Sequence, residues 1–458
     1  MTAQARAKTW TKTQTKTQTK TRRSRAQKNF SNWSGSVTRQ LHNYVQPATV
    51  AGVQEAVLRH ESLRPVGAGH SFTPVAAGEK TMLNLDHLSG IVSVDRQRKR
   101  VRFLAGTRLR DIPRLLKPFG LALANQGDVD PQSLAGAIST STHGTGIGYT
   151  GFAATVTGLT LADASGQLRT YSLEEDPELL RLIVVSVGTL GVVVEVEMQC
   201  VDAFDLLAEE SGAPIEDLLD NWEEYSRGVD HFESYWFPHT DMAMTKSNTR
   251  LRPEDPTPGV SAQRSRLKQF VDDELLGNAA YGALIQIGRV VPQTIPSFNK
   301  LATAVISNNR YRAAAHEVFV SPRRVRFHEM EYSVPLEAGP EAVREIRRFI
   351  DAQNWHIAFP LELRSTAADE VALSTASGRE SMYIAVHVPW FKNPHEYMPK
   401  IEPILRAAGG RPHWGKMHTL VREDLAQLYP RFDEFCALRE EMDPQWRFGS
   451  EYMRSLFG

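Results

Sequence analysis

Two glycine clusters constrain this chain more than any other feature. Residues 63–72 read L-R-P-V-G-A-G-H-S-F, a short apolar run ending in Pro65 and Val66 and leading into Gly67, Ala68, Gly69, His70 and Ser71. Without a Cβ in the way, backbone N–H groups there can approach an anionic ligand closely, and a pyrophosphate is the natural candidate. The imidazole directly after such a nest would lie beside whatever ring system the pyrophosphate carries. The competing reading is an ordinary turn after a strand. The second cluster, from Asn125 to Gly148, sets Gly127, Gly136, Gly144, Gly146 and Gly148 among Ser133, Ser139, Thr140, Ser141, Thr142 and His143, with no lysine or arginine. Hydroxyls and backbone amides are the neutral donors a dinucleotide needs. A solvated Gly/Ser linker would not interleave Leu134, Ala135, Ala137 and Ile138, so this segment is expected to be buried.

Neither cluster forms G-x-G-x-x-G between a strand and a helix with an acidic residue about 20 positions on, and no G-x-x-x-x-G-K-[ST] occurs. The composition is balanced at 53 basic and 53 acidic residues, but residues 1–30 hold nine Lys/Arg and no Asp/Glu. The body is therefore mildly acidic, and residues 1–35 read as a low-complexity, disordered basic tail. A basic arm can bind nucleic acid or a membrane surface. This one lacks interleaved aromatics beyond Trp10, and a solvated extension is the simpler reading. Arg22-Arg23 is followed by no apolar stretch, which speaks against export, and no run is long and apolar enough to span a bilayer. Cys200 and Cys436 fit a reducing cytoplasm, and no close-spaced Cys/His set suggests a metal.

Periodicity predicts a helix over 48–60, short strands near 64, 82–85, 91–94 and 101–104, and a helix over 109–119 ending at Gly120. A hairpin is predicted around the turn D-A-S-G at 163–166, then a β-branched strand over 190–201. The segment 250–263 reads as a surface loop. Beyond it, strands (323–334, 360–365, 383–388) alternate with helices (341–353, 396–408, 432–441), as in a sheet covered by helices on one side.

From about Tyr44 onward the chain resembles the vanillyl-alcohol oxidase flavoprotein superfamily, and within it the aldonolactone oxidoreductases. The motifs carrying the resemblance are G-A-G-H-S-F at 67–72, A-G-A-I-S-T-S-T-H-G-T-G at 135–146, V-G-T-L-G-V-V at 187–193, E-L-R at 362–364 and H-W-G-K at 413–416. The resemblance implies an α+β fold, with a two-subdomain FAD-binding domain over 36–205. It also implies an α+β cap over 206–412, and a segment over 413–458 completing the active site. FAD would be held by Pro65 to Ser71, Gly127, Asp128, Ser133, Gly136, Thr140 to Gly144, Val193 and Lys416, with His70 bonded covalently to the flavin.

Glu362 and Arg364 lie two apart on a predicted strand and so share a face. From spacing alone a solvated ladder or surface ion pair is the commoner reading. The resemblance implies instead that they face flavin and substrate, with Leu361 and Leu363 turned into the cap core. Lys416 would stabilise charge developing on the reduced ring. His413 is a partner for Glu362, a base or a structural histidine, and His387 points inward if the strand alternates. The activity implied is oxidation of a sugar-derived secondary alcohol, an aldono-1,4-lactone or alternatively a polyol, with O2 or another acceptor. Alditol oxidases tend to carry threonine at the Pro389 position and Ala-Ser at Gly127-Asp128, so both departures favour the lactone.

Overall fold

The structure, a computed structural model, describes residues 28–458 apart from 253, 258–259, 261–279, 305, 307 and 322–324. The basic segment 1–27 and part of the 250–263 loop lie outside the described residues, and the first two positions of that loop instead end the strand Met242–Leu251. The reading of a disordered tail to residue 35 is corrected over its last eight positions. Strand β1 (Lys28–Ser31) pairs antiparallel with β2 (Thr38–Leu41). The intervening Asn-Trp-Ser-Gly-Ser turn is fixed by Asn32, whose Oδ1 accepts from Val37 N–H at 3.0 Å and whose amide donates to Ser71 O at 2.9 Å. These are turn-forming residues, and the adjoining basic composition masks that signal.

Strands β3 (Asn43–Val45), β4 (Arg64–Val66) and β5 (Thr81–Asn84) form a small parallel sheet with β5 in the centre. The crossover from β3 to β4 is the helix Val50–Arg59, capped by Thr49 and buried through Val53 and Val57. A second sheet follows, in the order β10-β9-β11-β7-β6, where β6 is Ile91–Asp95, β7 Arg100–Leu104, β9 Val156–Ala162, β10 Leu168–Ser172 and β11 Val192–Asp202. Strand β8 (Leu121–Leu123) also pairs with β11. Every residue of β9 is buried, as suits a strand covered on both faces.

The third sheet is antiparallel and eight-stranded. Its members are β12 (Asp205–Pro214), β13 (His231–Trp236), β14 (Met242–Leu251), β15 (Asn309–Ala314), β16 (Phe327–Pro335), β17 (Leu361–Thr366), β18 (Ser381–Pro389) and β19 (Arg411–Pro412). Their order is β15-β12-β14-β13-β17-β18-β16-β19. Helix Gly339–Ala352 covers one face with Val343, Ile346 and Ile350, and Leu361 and Leu363 join the same core. The opposite face is polar yet also buried. The chain then returns to the first sheet, where Arg447 donates to Val57 O and His60 O, and Leu63 N–H donates to Arg447 O at 2.8 Å.

Candidate active site

The first sheet ends in an open cleft. Its walls include Pro65 to Ser71 from the end of β4 and the turn after it, Ser133, Gly136 and Thr140 from the second glycine cluster, and Val193 at the start of β11. The two clusters meet back to back. A Cβ on Gly67 would collide with the Ser133 hydroxyl and come within 3.7 Å of Gly136 Cα. That hydroxyl caps the helix Leu134–Ser139 by accepting from Gly136 N–H. Gly69 sits at φ +70°, a left-handed conformation that carries the turn round to His70. Among the described residues, nothing accepts from the backbone N–H groups of Ala68, Gly69, His70 or Ser71, and the side-chain oxygen of Gln132 in the opposite wall is also unpartnered. Neutral donors and glycines spaced for close backbone approach fit a bound dinucleotide.

His70 stacks on Trp33, ring centroids 5.6 Å apart. Burial, with Lys416 and Arg108 nearby, lowers its pKa to about 4, so the imidazole is neutral at physiological pH. The rear wall is Val187 and Gly188. Val187 is a β-branched residue at φ +43°, a strained conformation that needs outside support. Its N–H donates to Ser139 O at 3.0 Å, and its carbonyl accepts from Arg64.

Seven expected cofactor residues lie outside the lining of this cleft, because the second cluster turns from the cleft toward the eight-stranded sheet as it runs on. Ser141, at φ +61°, accepts from Thr375 N–H at 3.2 Å, and Thr142 accepts from Gln132. His143 stacks on Tyr383, centroids 3.6 Å apart, and Gly144 packs on Asn125. Gly127 backs onto the His143 carbonyl, and Asp128 faces Arg364 at 3.5 Å. Lys416 belongs to the polar sheet face, although it abuts the turn at His70.

Register builds that face. Arg364 on β17 lies opposite Glu233 on β13 and Tyr383 on β18, and Glu362 lies opposite Tyr235 and Ala385. Glu331 and Glu329 on β16 lie opposite Ala385 and His387, and Lys246 on β14 lies opposite Glu233. Alternation then puts Glu362, Arg364, Glu233, Lys246, His387, Glu329 and Glu331 on one side. Arg364 is paired with Glu362 and donates from Nε to Glu233 at 2.9 Å. Burial opposes charge on each, yet the partners prevail: Arg364 is held well above its usual pKa, and Glu233, beside Arg364 and Lys246, below its own.

H-W-G-K is locked to both halves. Phe72 N–H donates to Gly415 O at 2.7 Å, and Ser71 Oγ would lie 3.1 Å from a Cβ on Gly415. His413 N–H and Met417 N–H donate to the carbonyls of Glu331 and Glu329. Lys416 therefore meets Glu329 in an ion pair, with Glu331 at 4.0 Å. Burial favours the neutral acids, but Lys416 and His387 lower Glu329, and His143 holds Glu331 well below the ordinary carboxylate value. His387 Nδ1 lies 3.2 Å from Pro360 O and Nε2 3.5 Å from Glu329. His413 accepts from Gly415 N–H on Nδ1 at 3.0 Å, and burial lowers its pKa to about 3. It is a neutral, committed histidine. Trp414 is fully buried and donates to Leu373 O, so it fills core.

Glu329, Glu331, Glu233, Lys246 and Arg64 were not among the expected site residues. The signal for the first two was the alternation F-H-E-M-E-Y, charges every second residue in a long strand.

Taken with the family patterns that the chain matches, this fold belongs to a FAD-dependent oxidoreductase acting on CH–OH donors. A FAD binding domain pattern matches residues 42–172, and the D-arabinono-1,4-lactone oxidase pattern matches residues 196–456. The chain belongs to the D-arabinono-1,4-lactone oxidase family. It is 35% identical to L-gulono-1,4-lactone dehydrogenase of Mycobacterium tuberculosis over 94% of this chain and 99% of that one. It is 29% identical to L-gulonolactone oxidase of Mus musculus (93% and 98%) and 28% identical to an alditol oxidase of Streptomyces (93% and 98%). In architecture it is similar to cholesterol oxidase from Brevibacterium sterolicum, with a TM-score of 0.77 at 18% identity over 94% of this chain and 97% of that one. No helix of the described residues is long and apolar enough to cross a membrane, and they contain no cluster suited to a metal ion.

Proposed function

We propose that the protein oxidises the C2 hydroxyl of an aldono-1,4-lactone of the gulono or arabinono type, with FAD attached covalently to His70. The carrying observation is the docking of H-W-G-K onto G-A-G-H-S-F, which sets Lys416 beside the His70 end of the cleft and continuous with the Glu362–Arg364 face. FAD, when bound, supplies the two-electron acceptor for the carbinol hydride. Arg364 orients the lactone oxygens through a rigid donor fork, and Glu362 accepts the hydroxyl hydrogen. Lys416 places positive charge where negative charge develops. Loss of a proton and a hydride leaves a 2-keto lactone, which enolises to an ascorbate-type enediol. Neutral His70 is competent for attachment to the flavin. Pro389 offers no hydroxyl to an open-chain polyol. O2 or another acceptor completes the cycle, and the two unpaired, buried cysteines suit a reducing cytoplasm.

The test is the visible spectrum before and after acid precipitation, with product analysis on L-gulono-1,4-lactone, D-arabinono-1,4-lactone and xylitol. Yellow colour is expected in the pellet, with a dye-reducing enediol formed from a lactone. A colourless protein, or turnover of xylitol alone, would overturn the assignment. Pigment released into the supernatant would overturn only the covalent link.

A further inference from the structure

On the polar face Lys416 is flanked by two carboxylates of β16, Glu329 in an ion pair and Glu331 at 4.0 Å. Two histidines back these carboxylates. His143 Nδ1 lies 2.9 Å from Gly144 O, and His387 Nδ1 lies 3.2 Å from Pro360 O. A carbonyl only accepts, so each Nδ1 carries hydrogen. The other nitrogen of each ring faces a carboxylate: His143 Nε2 lies 3.2 Å from Glu331, and His387 Nε2 3.5 Å from Glu329. A bare nitrogen lone pair against a carboxylate would repel, so each pair must hold one further proton.

We infer that Glu329 and Glu331 are positioning residues that bracket Lys416, each sharing one proton with a histidine, and that they set how much of the lysine's charge the cofactor feels. The inference rests on the proposed placement of Lys416 beside the flavin. Strand β16 fixes the bracket, because Glu329 and Glu331 also anchor the backbone of the lysine's own segment. Glu329 joins Lys416 and His387, so its loss frees the ammonium and the imidazole together.

The experiment measures the flavin midpoint potential of the holoprotein by equilibration with redox dyes, for Lys416→Met, Glu329→Gln, Glu329→Asp and Glu331→Gln. Removing the ammonium should lower the potential. Removing the Glu329 charge should raise it, shifting the reduced-to-oxidised ratio by on the order of tenfold, about 30 mV for a two-electron couple. Glu329→Asp should return most of the shift. Nitrogen NMR of the histidine rings gives a second reading: His143 and His387 should each show both nitrogens protonated, and Glu331→Gln should remove that signature from His143 alone. If Lys416→Met lowers the potential while Glu329→Gln leaves it unmoved, the bracket is refuted and the proposed function stands. If Lys416→Met has no effect, the placement of the lysine fails and the bracket with it. Ring signatures showing one bare nitrogen on both histidines would also refute the shared protons.

Discussion

Replacing Arg64 by methionine tests whether the cleft is held open by one side chain. Arg64 is 2% exposed and has no carboxylate partner among the described residues. Its donors go to four backbone carbonyls: Nε and Nη2 to Val75 O, Nη1 to Gly188 O at 2.8 Å and Phe448 O at 2.7 Å, and Nη2 to Val187 O. Those acceptors lie on the 3₁₀ turn Pro74–Ala76, the rear wall of the cleft and the C-terminal segment. Hydrogen bonds to a charged group contribute about 1.5–3 kcal/mol each, and an orphaned buried acceptor costs about 1–3 kcal/mol. The guanidinium's own burial offsets part of this; burial lowers its pKa to about 9. A net loss of about 3–5 kcal/mol follows, comparable to breaking a buried charged contact. Val187, at φ +43°, loses a support at the same time. The assay is thermal unfolding with and without added FAD, together with the fraction of flavin retained on purification. Arg64→Met should melt well below the parent protein and purify depleted of flavin. Arg64→Lys should recover less than half the loss, because an ammonium cannot span four acceptors on diverging segments. A loss below about 1 kcal/mol with full flavin content would refute the clamp.

Gly67→Ala should abolish flavin binding while the polypeptide still folds, because the added methyl displaces the Ser133 hydroxyl that caps the adjoining helix. Losing that cap costs about 1 kcal/mol, and circular dichroism beside flavin absorbance separates the two effects. Asp369 is raised from 3.8 to about 6 by burial, which outweighs its hydrogen bonds from Ser374 and Val371. The folded state therefore binds this proton more tightly than the unfolded chain. The group favours folding below pH 4, and that advantage is lost as pH rises from about 4 to 6, by about 3 kcal/mol. Asp369→Asn should flatten this part of the stability curve; parallel melts at pH 4 and 7 that show equal differences from the parent would contradict it. Trp33→Ala should slow attachment of flavin to His70 without moving lactone KM, as followed by the growth of acid-stable colour.

Residues carrying special backbone chemistry were legible in the sequence. Gly67 to Ser71, Ser133 and Gly136 line the cleft because glycine and small hydroxyls are there for the approach they permit. The helix Leu134–Ser139 was not, since its six residues include glycine and serine and its stability comes from the Ser133 cap and burial, not propensity. The expected helix over 109–119 is broken into 3₁₀, α and 3₁₀ turns around Pro113 and Pro118, each of which lacks the N–H that would continue it. Strand β12 escaped notice because D-L-L-A-E-E-S-G-A-P has no steady alternation; its pairing with β14 and β15 supplies the order. The shared face of Glu362 and Arg364 was legible from their spacing on one strand, but the acids gathered around Arg364 and Lys416 come from β13, β16 and the second glycine cluster. Only sheet register brings those segments together.

The Arg64–Phe448 contact spans 384 residues of chain. The walls of the dinucleotide pocket come from the first half of the chain and this buttress from far downstream, so the receptacle is complete only once the two distant segments have met. Loop closure over such a span is slow. A polypeptide cut before Phe448 would leave the receptacle one wall contact short.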